Sequence, residues 1–398
     1  MKKHNLLVMS ICFSLIVIFM VFSVLSCKST APSEVKTLKI GLITSLTGSM
    51  SAAFKSLYDA AKPTQDLWNQ RGGITVNGQK YNIEIDPMDD QSSPAGAVTA
   101  ANKLIGDGVK FIIAPQFIPA NMAIAPICEQ AKVIRIQGMS VDQSQYGSKY
   151  NYNFDGCMTL YNIAPTYNYV VKNYPQVKKI AIIMADDPGG VAPRDYTIKQ
   201  IEQRGMQLVF NDIYQIGTED FAPIVTKALE QKPDGIELVL GFVPWANGII
   251  KSARDMGFKG PVFCGSPIGD INWLNSMLDP NYAYDIFASG PDVLSSKMLP
   301  IVQDHRKLVE KATNSPYTMD NLLPLLASWP LLQAIEKAQS LDTDKVVKTF
   351  ENMSNLDTVF GPGKVTGQEL VGINRFIVGP VPLARIQNGK VEFEFLSQ

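Results

Sequence analysis

Two short runs limit the fold more sharply than anything else in the chain. Residues 180–184 (IAIIM) and 236–240 (IELVL) are almost wholly apolar, and a strand without a polar face must be covered on both sides. That demands a central, mostly parallel sheet flanked by helices, the α/β class. The rest of the chain keeps the same rhythm. Strands are predicted at 39–46, 82–88, 111–114 and 133–137, with helices at 54–70, 95–106 and 121–132. Ala97, Ala100, Ala101, Leu104 and Ile105 fall on one helical face. Gly72-Gly73 and Asn77-Gly78 end the first helix and turn into the next strand. After a less regular stretch at 146–156 the alternation resumes, with strands at 180–184, 208–213, 236–240 and 262–264. Helices at 197–204, 222–229 and 247–256 separate them. Residues 299–354 turn strongly helical, and a tail of short strands with Gly and Pro turns closes the chain at 376–395.

Two doubly wound blocks of similar size imply a cleft between lobes, because open α/β sheets bind ligands beyond the carboxyl ends of their strands. The loops concerned are 45–50, 115–119, 138–142, 186–190, 241–245 and 265–270.

The N-terminus fixes a compartment. Lys2 and Lys3 precede an apolar, uncharged run from Leu6 to Leu25, followed by Ser26-Cys27, the order of an export signal. The Cys after Ser26 resembles a bacterial lipoprotein signal, in which that thiol is lipidated and opens the mature chain. An uncleaved transmembrane anchor is the alternative, since the run approaches the ~20 residues a spanning helix needs. Either reading puts the rest of the chain outside the cytoplasm, in the periplasm or on the outer face of the cytoplasmic membrane. Loss of residues 1–26 leaves 372 of 398 residues and moves the net charge from −1 to −3. That length suits two lobes, and the charge gives no footprint for nucleic acid. Residues 27–37 read as a tether. Cys128, Cys157 and Cys264 remain, either as buried inert thiols or as one pair with a leftover.

The motifs do not point to catalysis. His305 is the one histidine after the signal and sits beside Asp304, Arg306 and Lys307, which reads as a solvated helix position. No nucleophile elbow, phosphate loop, zinc motif or dinucleotide fingerprint occurs, and no cofactor or metal is expected. Gly361-Pro362-Gly363 reads as a turn. Asp89-Asp90 and Asp186-Asp187 are adjacent pairs whose members point to opposite faces of a strand.

From about Leu38 to its end the chain resembles the solute-binding proteins of ABC importers that share the leucine/isoleucine/valine-binding-protein fold. The resemblance rests on Lys39-Ile40-Gly41-Leu42 leading to Leu46-Thr47-Gly48, on Trp68-Asn69-Gln70-Arg71-Gly72-Gly73-Ile74, and on Asp89-Asp90 before Pro94. Further matches are Val109–Ile113, Ser252–Gly257, Gln333–Ala338 and Asp357–Pro362. It implies two Rossmann-like doubly wound lobes joined by three crossover strands, the type I periplasmic binding (Venus-flytrap) fold. The crossings would fall near Gly156, Gly290 and Gly372. Lobe 1 would hold 38–157 and 290–371, and lobe 2 would hold 158–289 and 372–398.

The same resemblance implies capture of a small-molecule ligand between the lobes. A monomer would deliver it to the transmembrane subunits of an ABC permease, or signal occupancy to a partner receptor. Where amino-acid-binding relatives carry a Ser-rich loop and ligand-binding Tyr and acidic residues, this chain departs. It offers Gln116, Phe117 and Ile118 after the third strand and Ser140 in the next loop, with Tyr161 near the first crossing. In the second lobe it has Gly189 and Phe242 where relatives often present Tyr, followed by Trp245. Pro267 stands near the usual acidic position, Ser266 beside it is a further candidate, and Asp270 is the nearest substitute carboxylate. This lining favours a hydrophobic or aromatic acid, an amide or an amino acid. Phe117 and Ile118 alternatively pack between the lobes, Phe242 and Trp245 alternatively belong to the core, and Asp270 alternatively is a surface carboxylate.

Overall fold

The computed structural model describes residues 34–139, 146–147, 149–241, 243–267 and 270–397. Residues 1–26, Cys27, Ser140 and Phe242 therefore lie outside the described residues. The first block begins with β1 (Lys36–Thr44), α1 (Ser51–Gln70), β2 (Ile74–Val76) and β3 (Gln79–Asp89). It continues with α2 (Pro94–Gly106), β4 (Phe111–Ile113), α3 (Ile118–Gln130), β5 (Ile134–Met139) and β6 (Asn153–Met158). Local chemistry explains the boundaries. Asn77 and Gly78 both take positive φ (50° and 74°), as a two-residue turn joining right-twisted antiparallel strands requires. Ser93 caps α2 by accepting the Gly96 N–H, and Pro94 follows at the first helical position.

The second block contains α4 (Ile163–Asn173), β7 (Lys179–Ala185), α5 (Val191–Gln203), β8 (Gln207–Tyr214) and α6 (Ala222–Glu230). After these come β9 (Gly235–Val239), α7 (Val243–Asp255), β10 (Val262–Pro267), α8 (Ile271–Met277) and β11 (Ile286–Ser289). All of β9, and all of β7 beyond Lys179, is buried. This is the two-sided covering that the apolar runs demand. Next come α9 (Pro300–Thr313), α10 (Met319–Ala338), α11 (Thr343–Phe350), β12 (Leu356–Thr358), β13 (Gly361–Thr366) and α12 (Gln368–Val371). The chain ends with β14 (Phe376–Val378), β15 (Val381–Gln387) and β16 (Lys390–Leu396).

Two sheets result, ordered β12-β13-β14-β6-β5-β4-β1-β3-β2 and β16-β15-β11-β10-β9-β7-β8. The first has a parallel centre and antiparallel edges, and the second is parallel from β8 to β11 and antiparallel only on its β15–β16 side. This is the expected α/β class with two doubly wound halves. The chain passes from the first sheet to the second after β6, returns after β11, and passes again between β14 and β15.

Three sequence expectations need correction. The last passage falls at Gly379-Pro380 rather than near Gly372, because Phe376 pairs in parallel with Asp155 of β6 and keeps β14 in the first sheet. Gly361-Pro362-Gly363 opens β13, which pairs antiparallel with β12, so a strand does lead into it. His305 is fully buried, not solvated. It falls on the face of α9 that also buries Ile301, Val302 and Val309. Its Nε2 lies 2.8 Å from Thr64 Oγ1 and its Nδ1 lies 2.7 Å from Tyr317 Oη. Thr64 gives its own proton to the Ala60 carbonyl, so Nε2 carries hydrogen and Nδ1 accepts from Tyr317.

Candidate functional site

The loop after β4 is anchored where it begins, because Gln137 Nε2 donates to the Pro115 carbonyl at 3.1 Å. Gln116 follows, and its Nε2 is buried with no hydrogen-bond partner among the described residues. A buried donor in that state costs about 1–3 kcal/mol. Phe117 is the N-cap residue of α3 and supplies no side-chain cap, so the first-turn N–H groups have no side-chain acceptor. Its half-buried ring packs on the cluster formed by Ile112, Ala114, Ala120 and Ile124. Ile118 begins the helix.

Ile118 reaches the opposite half. Gly189 follows β7, and a Cβ built on it would stand 2.4 Å from Ile118 Cδ1. The Gly189 N–H is itself held by Asp187 Oδ1 at 2.7 Å. A second link between the halves runs through Asp270. It caps α8 by accepting the Asn272 and Trp273 N–H groups at 2.8 and 3.1 Å, and its other oxygen accepts the Met319 N–H at 3.3 Å. Asp270 is therefore a bridge to the start of α10 rather than a lone surface carboxylate. Burial pushes its pKa up against the pull of those three bonds.

The remaining candidates divide. Ser266 is fully buried, and its hydroxyl accepts the N–H of Leu240 at 3.3 Å. Leu240 has φ 51°, a costly conformation for a branched side chain. Trp245 lies in the first turn of α7 with its ring edge-on to Tyr214, centroids 5.6 Å apart. Tyr161 sits in the first passage between sheets. Its hydroxyl donates to Glu369 Oε1 at 2.5 Å, and its ring meets Phe376 edge-on at 5.7 Å. Burial, then Glu369, pushes the Tyr161 phenol above its ordinary value. The structure thus brings Ile118 to Gly189 with Gln116 and Phe117 beside them, while Ser266, Trp245 and Tyr161 are engaged by neighbouring protein groups.

One residue escaped the sequence reading. Asp320, second in α10 and half-buried, has its pKa pushed up to about 7 by burial and then by the charge of Asp270. Its clue was local. The segment Thr318-Met319-Asp320-Asn321 carries a helix-start signature, with Thr318 and Asn321 forming a capping box.

His305 is pulled down to about 3 by burial. Cys128, Cys157 and Cys264 are free and buried, and burial pushes their thiols up to about 11, 12 and 12. These are unreactive thiols. Among the described residues no three His, Cys, Asp or Glu side chains group to hold a metal. Asp89 accepts from Leu46 and Thr47, whereas Asp90 is buried and accepts from Ser45 and Ser92. A hollow of about 620 Å³ exists between Lys55, Tyr58, Ile85 and Thr313, on the side of α1, β3 and α9 and apart from these loops. No described helix is long and apolar enough to cross a membrane.

Comparison with known proteins agrees with this geometry. The sequence profile of the family described as periplasmic binding protein matches residues 37–390. The Leu/Ile/Val-binding protein BraC3 of Rhizobium johnstonii is 24% identical over 350 residues, covering 84% of this chain and 89% of that protein. Among solved structures, the branched-chain amino acid transporter substrate-binding protein LivJ of Streptococcus pneumoniae, in complex with isoleucine, superposes with a TM-score of 0.71. It is 20% identical, with 91% of this chain and 100% of that one covered. A solute-binding protein of an ABC transporter from R. palustris, in complex with 4-hydroxybenzoate, gives a TM-score of 0.73. Its identity is 22%, with coverage of 91% and 96%. The chain belongs to the periplasmic binding protein family, as a type I member of the leucine/isoleucine/valine-binding-protein group, the extracytoplasmic solute-binding proteins of ABC transporters.

Proposed function

We propose that this protein captures a small organic solute with an apolar or aromatic body between its two halves and passes it to an ABC permease. Lipid on Cys27 would hold it to the membrane after removal of residues 1–26. The observation that carries the solute class is Gln116, whose buried Nε2 has no partner among the described residues. With the uncapped start of α3 it forms a group of donors suited to a carboxylate or amide oxygen. The apolar neighbours Phe117 and Ile118 suit the body of such a molecule. Asp270, the carboxylate nearest the acidic position of amino-acid-binding relatives, is engaged by three backbone N–H groups.

One observation favours an α-amino acid instead. Asp320 is half-buried beside Asp270 with a raised pKa, and an ammonium group there would relieve the repulsion between the two acids.

A thermal-shift panel of 4-hydroxybenzoate, benzamide, L-leucine and L-isoleucine separates the two. A true ligand at a hundredfold excess over Kd stabilises by about 2.7 kcal/mol. Stabilisation by the two amino acids alone, lost in Asp320→Asn, selects the second reading, and no response to any compound defeats both. Radiolabelled palmitate entering the wild type but not Cys27→Ala tests the anchor.

A further inference from the structure

Gly189 is buried, yet its φ lies outside the left-handed region, so conformational freedom does not explain a glycine there. Space does. A Cβ would lie 2.4 Å from Ile118 Cδ1, 3.9 Å from Ile118 Cγ1 and 3.1 Å from Asp187 Oδ1. Asp187 Oδ1 also accepts the Gly189 N–H at 2.7 Å, and the Asp187 carbonyl accepts the Gly190 N–H at 2.9 Å. This turn is therefore held and has little room to retreat. On the other side, Ile118 is the first residue of a 13-residue helix, so its backbone is equally constrained. Two fixed elements from opposite halves meet with a branched side chain seated on a bare backbone.

We propose that Ile118 and Gly189 form the stop on which the cleft closes, and that this pair sets the size of solute the closed cleft accepts. Ile118 occupies the space that a side chain at 189 would fill. Any side chain there holds the halves apart, and any shortening of Ile118 lengthens the chamber beside Gln116. The proposal deepens the solute-binding reading and rests on it for the role of the chamber, but the contact itself can be tested without a ligand.

The first arm is the variant Ile118→Cys/Gly189→Cys, oxidised with copper phenanthroline and oxygen as the electron acceptor. A disulfide needs Cβ atoms about 3.5–4.5 Å apart, and Ile118 Cγ1, one bond from Cβ, stands 3.9 Å from the built Cβ of residue 189. The expected result is an intramolecular cross-link, seen in the intact mass as the loss of two hydrogens and absent from both single variants. Free alkylation of both thiols without a cross-link overturns the proposal.

The second arm measures 4-hydroxybenzoate and L-isoleucine by calorimetry. Gly189→Val should weaken whichever probe the wild type binds by about tenfold or more, and Ile118→Ala/Gly189→Val should recover most of that loss. Unchanged affinity in Gly189→Val overturns the stop. Weakening that Ile118→Ala does not relieve overturns the pairing. If the cross-link forms while wild-type protein binds neither probe, the solute class named above fails and the contact stands.

Discussion

The loops after β4 and β10 occupy equivalent places, each at the carboxyl end of a parallel strand, yet they use their polar groups in opposite ways. After β4, the Gln116 amide nitrogen is buried without a partner and the following helix begins uncapped. At the end of β10 and just after it, Gly265, Ser266 and Asp270 are engaged. Gly265 donates to Glu237 at 2.8 Å, Ser266 accepts from Leu240, and Asp270 accepts from Asn272, Trp273 and Met319. Topology brings both loops to the cleft but does not decide which one meets the solute. That depends on whether neighbouring backbone has already satisfied the side chain. On the proposed reading, the second half has spent its polar groups on its own backbone and the first supplies the unpartnered donor.

The largest effect expected on this contrast is pH-dependent. Glu237 is fully buried, and burial pushes its pKa from 4.5 up to about 8 despite bonds from Gly265 and Tyr167 that pull it down. Its folded-state pKa therefore exceeds its unfolded value. Between those values the native protein keeps a proton that the unfolded chain has lost, so the stability Glu237 contributes is fully present below about pH 4.5 and is lost as pH rises to about 8. At about 1.36 kcal/mol per unit the total is of the order of 5 kcal/mol. Chemical denaturation from pH 5 to 8 should show the stability of the wild type relative to Glu237→Gln falling as pH rises, the comparison cancelling the opposite slope that His305 gives below pH 6.5. Equal slopes would mean that the β10 loop is not supported by a neutral acid. His305 in the first half bends the curve the other way in acid. Its pKa is pulled below 6.5, so its contribution is present above that value and lost as pH falls toward about 3.

Asp270 comes next. Asp270→Ala removes the cap of α8 and the bond to Met319, a cost of about 2 kcal/mol. Asp270→Asn keeps an acceptor and should recover most of it in urea unfolding. If both variants weaken ligand while leaving stability alone, Asp270 faces solute and the contrast between the loops fails.

These assignments show what a sequence can and cannot convey. The both-face burial of β7 and β9 is readable because no polar residue interrupts their cores apart from Glu237, and α2 announces itself by the period of Ala97, Ala100, Ala101, Leu104 and Ile105. β6 was read as irregular because Asn153, Asp155 and Gly156 break its apolar pattern, although the whole strand is buried. Their polarity is accommodated by tertiary neighbours that periodicity does not reveal. His305 misled for a related reason. Its charged sequence neighbours point away, and only the spacing of Ile301, Val302 and Val309 shows which face it shares. At the cleft, Gln116 and Ile118 could be nominated from loop position. The partner of Ile118 is a glycine with no side chain to read, and the engagement of Ser266 depends on a backbone N–H 26 residues away.

A smaller effect is expected at Ser266. Ser266→Ala leaves the Leu240 N–H unsatisfied in the interior, at about 1–2 kcal/mol. Since Leu240 holds a positive φ, the loss should appear as faster amide exchange at residues 240–241, with solute affinity unchanged. A drop in affinity without a change in exchange would return Ser266 to the list of solute contacts.

Gln116 provides the sharpest test because its effects on stability and affinity should separate. Gln116→Ala removes a buried group that has no partner among the described residues, so nothing is orphaned, the cost of burying the donor is relieved, and stability should hold or rise by about 1–3 kcal/mol. Affinity for the compound that stabilises the wild type should still fall by about tenfold, because the solute loses its donor. Gln116→Glu strengthens the test by exchanging a donor for a negative charge at nearly constant volume. A carboxylate solute should be rejected more strongly than by Gln116→Ala, whereas an amide should be affected about equally by both. If Gln116→Ala instead destabilises the fold by as much as Ser266→Ala, the β4 loop is as structurally engaged as its counterpart, and the asymmetry between the two halves disappears.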